Sequence, residues 1–487
     1  MSKKASVGND ALKLTISKMM VLVIQMISAM LLSRFRTVEE YGTYSQLLMA
    51  VNLATTVIMM GLPNSLNYFL AGAEGDKEKG HFLNVYYTMS TILSAVVGCV
   101  LVVLVPFLVS YFENPLLNNF LFFLAVFPWT KIIMSSVENV LVVYKRTNLI
   151  MAYRVLNSIF LLSIILIVQV FEWTFTTYMV LYLVVEAVFS VLVYVFAKQS
   201  AGRLCVAIDI ELTKRIFKFS VPMGIATMLG TLNIELAKVV IGGLMDTESL
   251  AIFTNASKEM PVTIIASSIT AVLLPRMVKL LKNKQNEDAV KLWSKATNIS
   301  FAIITFLAFA LFVFAPEVMT ILYSEKYLSG VSVFRVYSLV LPLRCTYFGM
   351  VLNASGHTKK ILYSSVISLV LNLCMNIVFY KMFGFVGPAI ASLVAQLVIN
   401  VVQLLWTSRV IEVKFSRIFD WKLLGISLIK NAVLAVVFYV IKSVVPLEAF
   451  VGEIIESILL GFIWMIIFAI IEFKNLKKQW VFLNKAD

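Results

Sequence analysis

The sequence predicts an all-α polytopic membrane protein of about 14 transmembrane helices, built as two six-helix lobes in parallel repeat plus a C-terminal helix pair. Three observations carry this expectation. The 487 residues are 60% hydrophobic and 14% charged, against roughly 45–50% and about 25% in soluble domains. Apolar windows long enough to cross a bilayer recur along the whole chain. Lys and Arg alternate between odd and even loops. This composition excludes a soluble enzyme and leaves almost no chain for a globular appendage.

In chain order the windows fall near 12–33, 44–70, 82–109, 118–143, 153–170, 178–197 and 219–244. The second set lies near 251–275, 296–316, 333–353, 361–380, 385–407, 423–443 and 451–471. Each is close to the roughly 20 residues that an α-helix needs to cross the hydrocarbon. The first follows Lys3, Lys4, Lys13 and Lys18 and runs on without a small-residue cleavage site, as an uncleaved span would. Between the sixth and seventh windows lies KQSAGRLCVAIDIELTKRIFKFS, and between the eighth and ninth RMVKLLKNKQNEDAVKLWSK. Both are basic and partly amphipathic, suited to an anionic leaflet and to connecting lobes. Opposite loops such as SYFENPLLNN and FEWTFTT are too short for an external catalytic domain.

The loop charges test this count, because cytoplasmic loops collect Lys and Arg. One side holds the N-terminal lysines, Lys77, Lys79, Lys145, Arg146, Arg154, Lys198, Arg203, Lys214, Arg215 and Lys218. It continues through the basic residues of 276–295, Lys359, Lys360, those of 409–422 and those of 474–485. The other side holds only Arg34, Arg36, Lys326, Lys381 and Lys442. Both termini are therefore expected in the cytoplasm, with the chain in a bacterial cytoplasmic membrane. The formal net charge of +14 is then topology reinforced by anionic lipid, and no nucleic-acid partner is expected. Cys99, Cys205, Cys345 and Cys374 are scattered with no CxxC pair, so neither a disulfide frame, a metal site nor a cofactor is expected.

The chain also aligns with itself at a shift of about 210 residues. RTVEEYGTYS (36–45) lies over MDTESLAIFT (245–254), Pro63 near Pro275, and the YKRTN loop near GHTKK. The shift equals six spans, so the halves share one orientation. The expected division is 1–209 for spans one to six, 210–422 for spans seven to twelve, and 423–487 for the last pair and its tail.

Ionisable groups inside spans cost at least roughly 2.5–3.5 kcal/mol on insertion scales, so each needs a reason. The basic ones are Lys131, Lys238, Lys258, Arg335, Arg344 and Lys430, and the acidic ones Glu138, Glu186, Glu235 and Glu259. Lys430 and Arg335 lie near span ends, where snorkelling to the interface explains them. Glu235 and Lys238 are spaced for a local i to i+3 pair, on a helix that Pro222, Gly224 and Gly230 would let bend. Lys258 and Glu259, adjacent on a helix, point about 100° apart, so at least one needs a partner on another helix. Lys131 and Glu138 form a polar stripe two turns long. Arg344, just after Pro342, suits bidentate capture of phosphate; an interlobe ion pair is its alternative. With His81 and His357 in loops, any proton coupling falls to the four carboxylates.

The segments RTVEEYGTYSQL, LLPRM, FAPEVMTILYSEKYLSGVSVFRVYSLVLPL, LNASGHTKK and FGFVGPAIASLVAQ resemble the Wzx-type polysaccharide-biosynthesis flippases. These are a branch of the multidrug/oligosaccharidyl-lipid/polysaccharide exporter superfamily. The resemblance implies two lobes about a cavity that opens alternately to each side. It implies an undecaprenyl-type lipid-linked oligosaccharide as cargo, flipped from the inner to the outer leaflet, membrane lipids as partners, and a polysaccharide polymerase machinery downstream. Lys131, Lys238, Lys258, Arg344 and Arg335 are then candidates for the pyrophosphate and sugars, and Glu138, Glu186, Glu235 and Glu259 for ion coupling. A cation-coupled drug exporter would instead predict a cavity dominated by carboxylates. A membrane sugar polymerase or ligase would need large external loops, which are absent.

Overall fold

The computed structural model describes residues 2–258, 260–444 and 452–485, and among them every regular element is helical. In order these are α1 (Ser2–Phe35), α2 (Val38–Met59), α3 (Leu62–Gly72), α4 (Asp76–Val103), α5 (Val105–Phe112), α6 (Leu121–Met134) and α7 (Val137–Val143). Then come α8 (Thr147–Val170), α9 (Phe175–Ala201), α10 (Ile210–Leu244), α11 (Thr247–Ala256), α12 (Ile264–Lys282), α13 (Asn286–Val313) and α14 (Ala315–Tyr323). The last are α15 (Val331–Val340), α16 (Met350–Ala354), α17 (Thr358–Phe383), α18 (Gly387–Val410), α19 (Phe415–Ile418), α20 (Trp421–Val444) and α21 (Glu453–Lys485).

α1 to α9 recur as α10 to α18 at a shift of about 210 residues, and local chemistry explains the match. Thr37 opens α2 as a capping box with Glu40, and Asp246 caps the start of α11 by accepting from the Ser249 amide at 2.7 Å. Leu104 and Phe314 break the chain before the prolines that begin α5 and α14. Short 3₁₀ turns at Pro115–Phe120 and Glu325–Gly330 follow. After α7 and α16, Lys145 (φ 55°) and Gly356 (φ 79°) take the left-handed conformation. The amides of Arg146 and His357 then reach back five residues to Leu141 and Leu352. The YKRTN and GHTKK loops are thus one helix stop written twice.

Eleven stretches among the described residues are long and apolar enough to cross a membrane, or twelve if α2 and α3, bent by 43°, form one span. The expected tenth span is broken between α15 and α16, where a 3₁₀ turn (Leu341–Arg344) and irregular chain intervene. The expected eleventh and twelfth form one apolar run, 358–410, folded back on itself between α17 and α18.

Contacts divide the chain into two units, Met1–Ala251 and Ile252–Asp487. α10, first in the second repeat, falls in the first unit. There Gly224 lies against the α2–α3 bend: a Cβ at 224 would stand 1.9 Å from the Met60 carbonyl carbon. α10 nonetheless runs unbroken through Pro222, so this glycine serves a close helix approach. The core of this unit gathers Leu66, Phe82, Tyr86, Ile133, Tyr153 and Phe189. In the second unit α20 and α21 pack on α13, with Trp464 stacked on Phe438 at 4.9 Å and Phe306 on Phe468 at 4.4 Å.

The chain between α9 and α10 is extended over 204–209 and runs along α4. Asn84 Oδ1 accepts from the Cys205 amide at 3.0 Å, and Thr88 Oγ1 from the Ala207 amide at 3.1 Å. Asp209 caps α10 by accepting from the Leu212 amide at 2.9 Å and faces His81 Nε2 at 3.0 Å. The Leu212 amide, and then His81, hold the Asp209 carboxyl below its usual range. A lowered native value means that the cap's contribution is fully present above the unfolded pKa, about 3.9, and is lost only as pH falls through the lowered one. Protection of the Leu212 amide, corrected for intrinsic exchange, should persist as pH is lowered to about 4 and fall below it; loss already near neutrality would refute the cap.

Candidate functional site

In the first unit α9 buries every fourth residue over Tyr178, Tyr182, Glu186 and Ser190, the spacing that keeps one helix face inward. Glu186, 4% exposed, is thereby carried into the interior by the same periodicity that buries the tyrosines. Asn157 on α8 donates Nδ2 to its Oε1 at 3.3 Å. Tyr44 of α2 joins Tyr178 and Tyr182, with ring centroids 6.3 and 6.1 Å away. Lys131 on α6 lies near enough to act electrostatically on Glu186. Its ammonium sits 5.2 Å from the centroid of Phe127, one turn earlier. Among the described residues no carboxylate lies within 4 Å of that ammonium.

A turn at Ser135 and Ser136 separates Lys131 on α6 from Glu138 on α7, and the two do not pair. Glu138 instead meets Arg154 of α8 and, at 3.4 Å, Lys18 of α1. Glu235 and Lys238 form the local pair that their spacing predicts, at 2.7 Å, with Glu235 buried.

In the second unit Arg344 ends the 3₁₀ turn that interrupts the tenth span. Its Nε donates to Gln396 at 3.3 Å, Gln396 donates to Asn400 at 2.9 Å, and Asn400 donates to the Leu343 carbonyl at 2.6 Å. An amide chain from α18 thus satisfies a carbonyl freed by the break. Arg335 donates to the Phe312 carbonyl at 3.2 Å and lies 5.5 Å from that ring's centroid. Lys258 is exposed just beyond the end of α11, outside the helix. Glu259 itself lies outside the described residues.

Sequence reasoning missed several partners. Lys430 pairs with buried Glu472 at 3.1 Å, in place of simple snorkelling, and Lys442 pairs with buried Glu317. Asn157, Gln396 and Asn400 carry no charge and so gave no warning. Glu317, Glu472 and Arg154 lie at span ends, where they read as loop residues.

This fold is that of membrane exporters and flippases. The structure of the lipid II flippase MurJ in an inward closed conformation superposes with a TM-score of 0.76 at 14% identity, covering 95% of this chain and 98% of that one. An inward-facing multidrug resistance MATE family transporter of the MOP superfamily gives 0.68 at 17% identity, covering 83% and 98%. The chain belongs to the polysaccharide biosynthesis protein family, whose profile matches residues 31–332. It is similar to the capsular polysaccharide biosynthesis protein CapF of Staphylococcus aureus, 24% identical over 49% of this chain and 62% of that one. It is also similar to the probable low-salt glycan biosynthesis flippase Agl15 of Haloferax volcanii, 21% identical over 49% and 50%. The matched region thus spans about half to two thirds of these two relatives.

Proposed function

We propose that the chain is a non-enzymatic transporter, a flippase that carries polyprenyl-(pyro)phosphate-linked oligosaccharide from the inner to the outer leaflet by alternating access. The observation that carries this reading is Lys131: a cation without a close carboxylate partner among the described residues, inside a chain of the polysaccharide biosynthesis family with a transporter fold. A diphosphate head cannot cross hydrocarbon unaided, and such a cation can neutralise it without first breaking a salt bridge. Lys238, Lys258, Arg344 and Arg335 complete the proposed anion-binding set, with Arg344 presented by an interrupted span. The repeated elements support lobes of 1–209 and 210–422 followed by a pair in 423–487. The alternation of loop charge supports cytoplasmic termini in a bacterial cytoplasmic membrane, where an undecaprenyl-type carrier and a polysaccharide polymerase would be the neighbours.

A second reading, cation-coupled export, has one observation in its favour: Glu186 is a buried carboxylate that accepts from Asn157 and shares a helix face with Tyr178 and Tyr182. Of the acidic candidates it is the best placed for ion coupling. Glu138 and Glu235 are held by cations, and Glu259 is carried as a candidate from sequence. Within the flippase reading Glu186 would couple cargo movement to an ion.

The test is deletion and complementation. Loss of the protein should leave lipid-linked sugar on the cytoplasmic leaflet, and wild type should restore delivery. Lys131→Ala should reduce delivery about tenfold or more, the loss expected for one charge-assisted contact of about 1.5 kcal/mol or above. Normal outward delivery in the deletion strain, with no second flippase present, would refute the flippase reading. Unchanged delivery by Lys131→Ala would remove that residue from the site.

A further inference from the structure

The extended segment along α4 leaves an apolar ridge with no protein cover among the described residues. Val206, Ile208 and Ile210 are 82, 77 and 66% exposed, and the period of two along an extended chain sets Val206 and Ile208 on one side. Beside this ridge a cleft of about 400 Å³ opens between α4 and the first turns of α10. Its wall is nearly all apolar, with Met89 and Ile92 from α4, Ile208 and Ile210 from the ridge, and Phe217 from α10. One cation, Lys214, stands in the lining. Lys218, one turn on, shares its helix face, and among the described residues neither is in an ion pair. Arg203 and Arg215 are exposed nearby in the chain. The apolar run of α10 opens near 219, so Lys214 stands within about two turns of it, at head-group depth.

We propose that this cleft holds one acyl chain of an anionic phospholipid of the surrounding bilayer, with Lys214 and Lys218 taking the phosphate. The pairing follows from charge and shape together. A dry slot accepts the hydrocarbon, cations at one end select the head, and the β-branched ridge seats the rest of the chain. A zwitterionic lipid would fill the slot but gain less from the lysines, since each basic residue near an anionic surface contributes about 1 kcal/mol. This site lies on α4 and the α9–α10 connection, apart from the proposed cargo residues, and does not depend on which cargo is carried.

The test uses the full chain in nanodiscs with diazirine-bearing phosphatidylglycerol or phosphatidylcholine, followed by peptide mapping. Labelling of the peptides covering 85–93 and 205–217 is normalised to the peptide bearing Val170 and Phe171, exposed apolar residues elsewhere. Phosphatidylglycerol should label the site about fivefold more than phosphatidylcholine, the factor corresponding to about 1 kcal/mol. Lys214→Glu, a surface change, should remove that preference, and Met89→Trp, which fills the slot, should reduce labelling by both lipids. Equal labelling by the two lipids, or a preference that survives Lys214→Glu, would overturn the proposal. So would displacement of the label by polyprenyl phosphate at low concentration, which would make the cleft a cargo site.

Discussion

Placing one methyl group on Gly224 is expected to destabilise the first unit by about 3 kcal/mol or more, at or beyond the upper end of overpacking costs. The added Cβ would lie 1.9 Å from the Met60 carbonyl carbon, 2.1 Å from its oxygen and 2.5 Å from the Gly61 amide nitrogen. All three are backbone atoms, so no side-chain rotation can relieve the clash. The bend itself cannot move freely, because Gly61 already adopts φ 75° and its own Cβ position is 2.8 Å from the Gly224 Cα. Gly230, two turns along the same helix, is the control: nothing lies within 4 Å of its Cβ position. Gly230→Ala should leave stability unchanged or raise it by up to about 1 kcal/mol, the helix preference of alanine over glycine. Thermal unfolding of the two variants in detergent measures the difference. Equal stability would show that α10 and the α2–α3 bend do not pack this closely.

Lys442→Ala should cost about 3–5 kcal/mol, the range for removing one partner of a buried pair. Its partner Glu317 has a side chain only 2% exposed; Lys442 pairs with its Oε1, and among the described residues its Oε2 has no hydrogen bond. Without the lysine a carboxylate is stranded between α14 and the C-terminal helices. The paired change Lys442→Met with Glu317→Gln should recover most of the loss, because the penalty lies in the uncompensated charge. If the double variant is no more stable than Lys442→Ala, the loss does not lie in the uncompensated charge, because methionine keeps most of the stem and removes only the ammonium that lies 5.8 Å from the Phe314 ring.

The all-helical membrane fold and the internal repeat were legible because they rest on local chemistry. Apolar length marks spans, a Thr or Asp marks a helix start, and a Lys or Gly with positive φ marks a stop. Thr37 and Asp246 differ in identity yet cap alike, so the repeat is clearer in backbone geometry than in residue matches. The span count was less legible. Hydropathy does not distinguish a continuous helix from one broken at Ser135 or at Leu341–Arg344, since both remain apolar. The local pair Glu235–Lys238 could be read from spacing alone. Glu186 could be singled out as a buried charge, but Asn157 and Tyr44 in its setting come from two other helices. Lys430 with Glu472 and Lys442 with Glu317 join residues 42 and 125 positions apart, a separation that no single-sequence pattern specifies.

The pairing of Lys430 with Glu472 also bears on how the chain enters the bilayer during synthesis. α20 emerges with an ammonium whose counter-charge is still 42 residues from being made. Partitioned alone it carries that lysine uncompensated, whereas α20 and α21 released together present a neutral pair. The last two helices are therefore expected to leave the insertion machinery as a hairpin, with α20 waiting at the interface until Glu472 arrives.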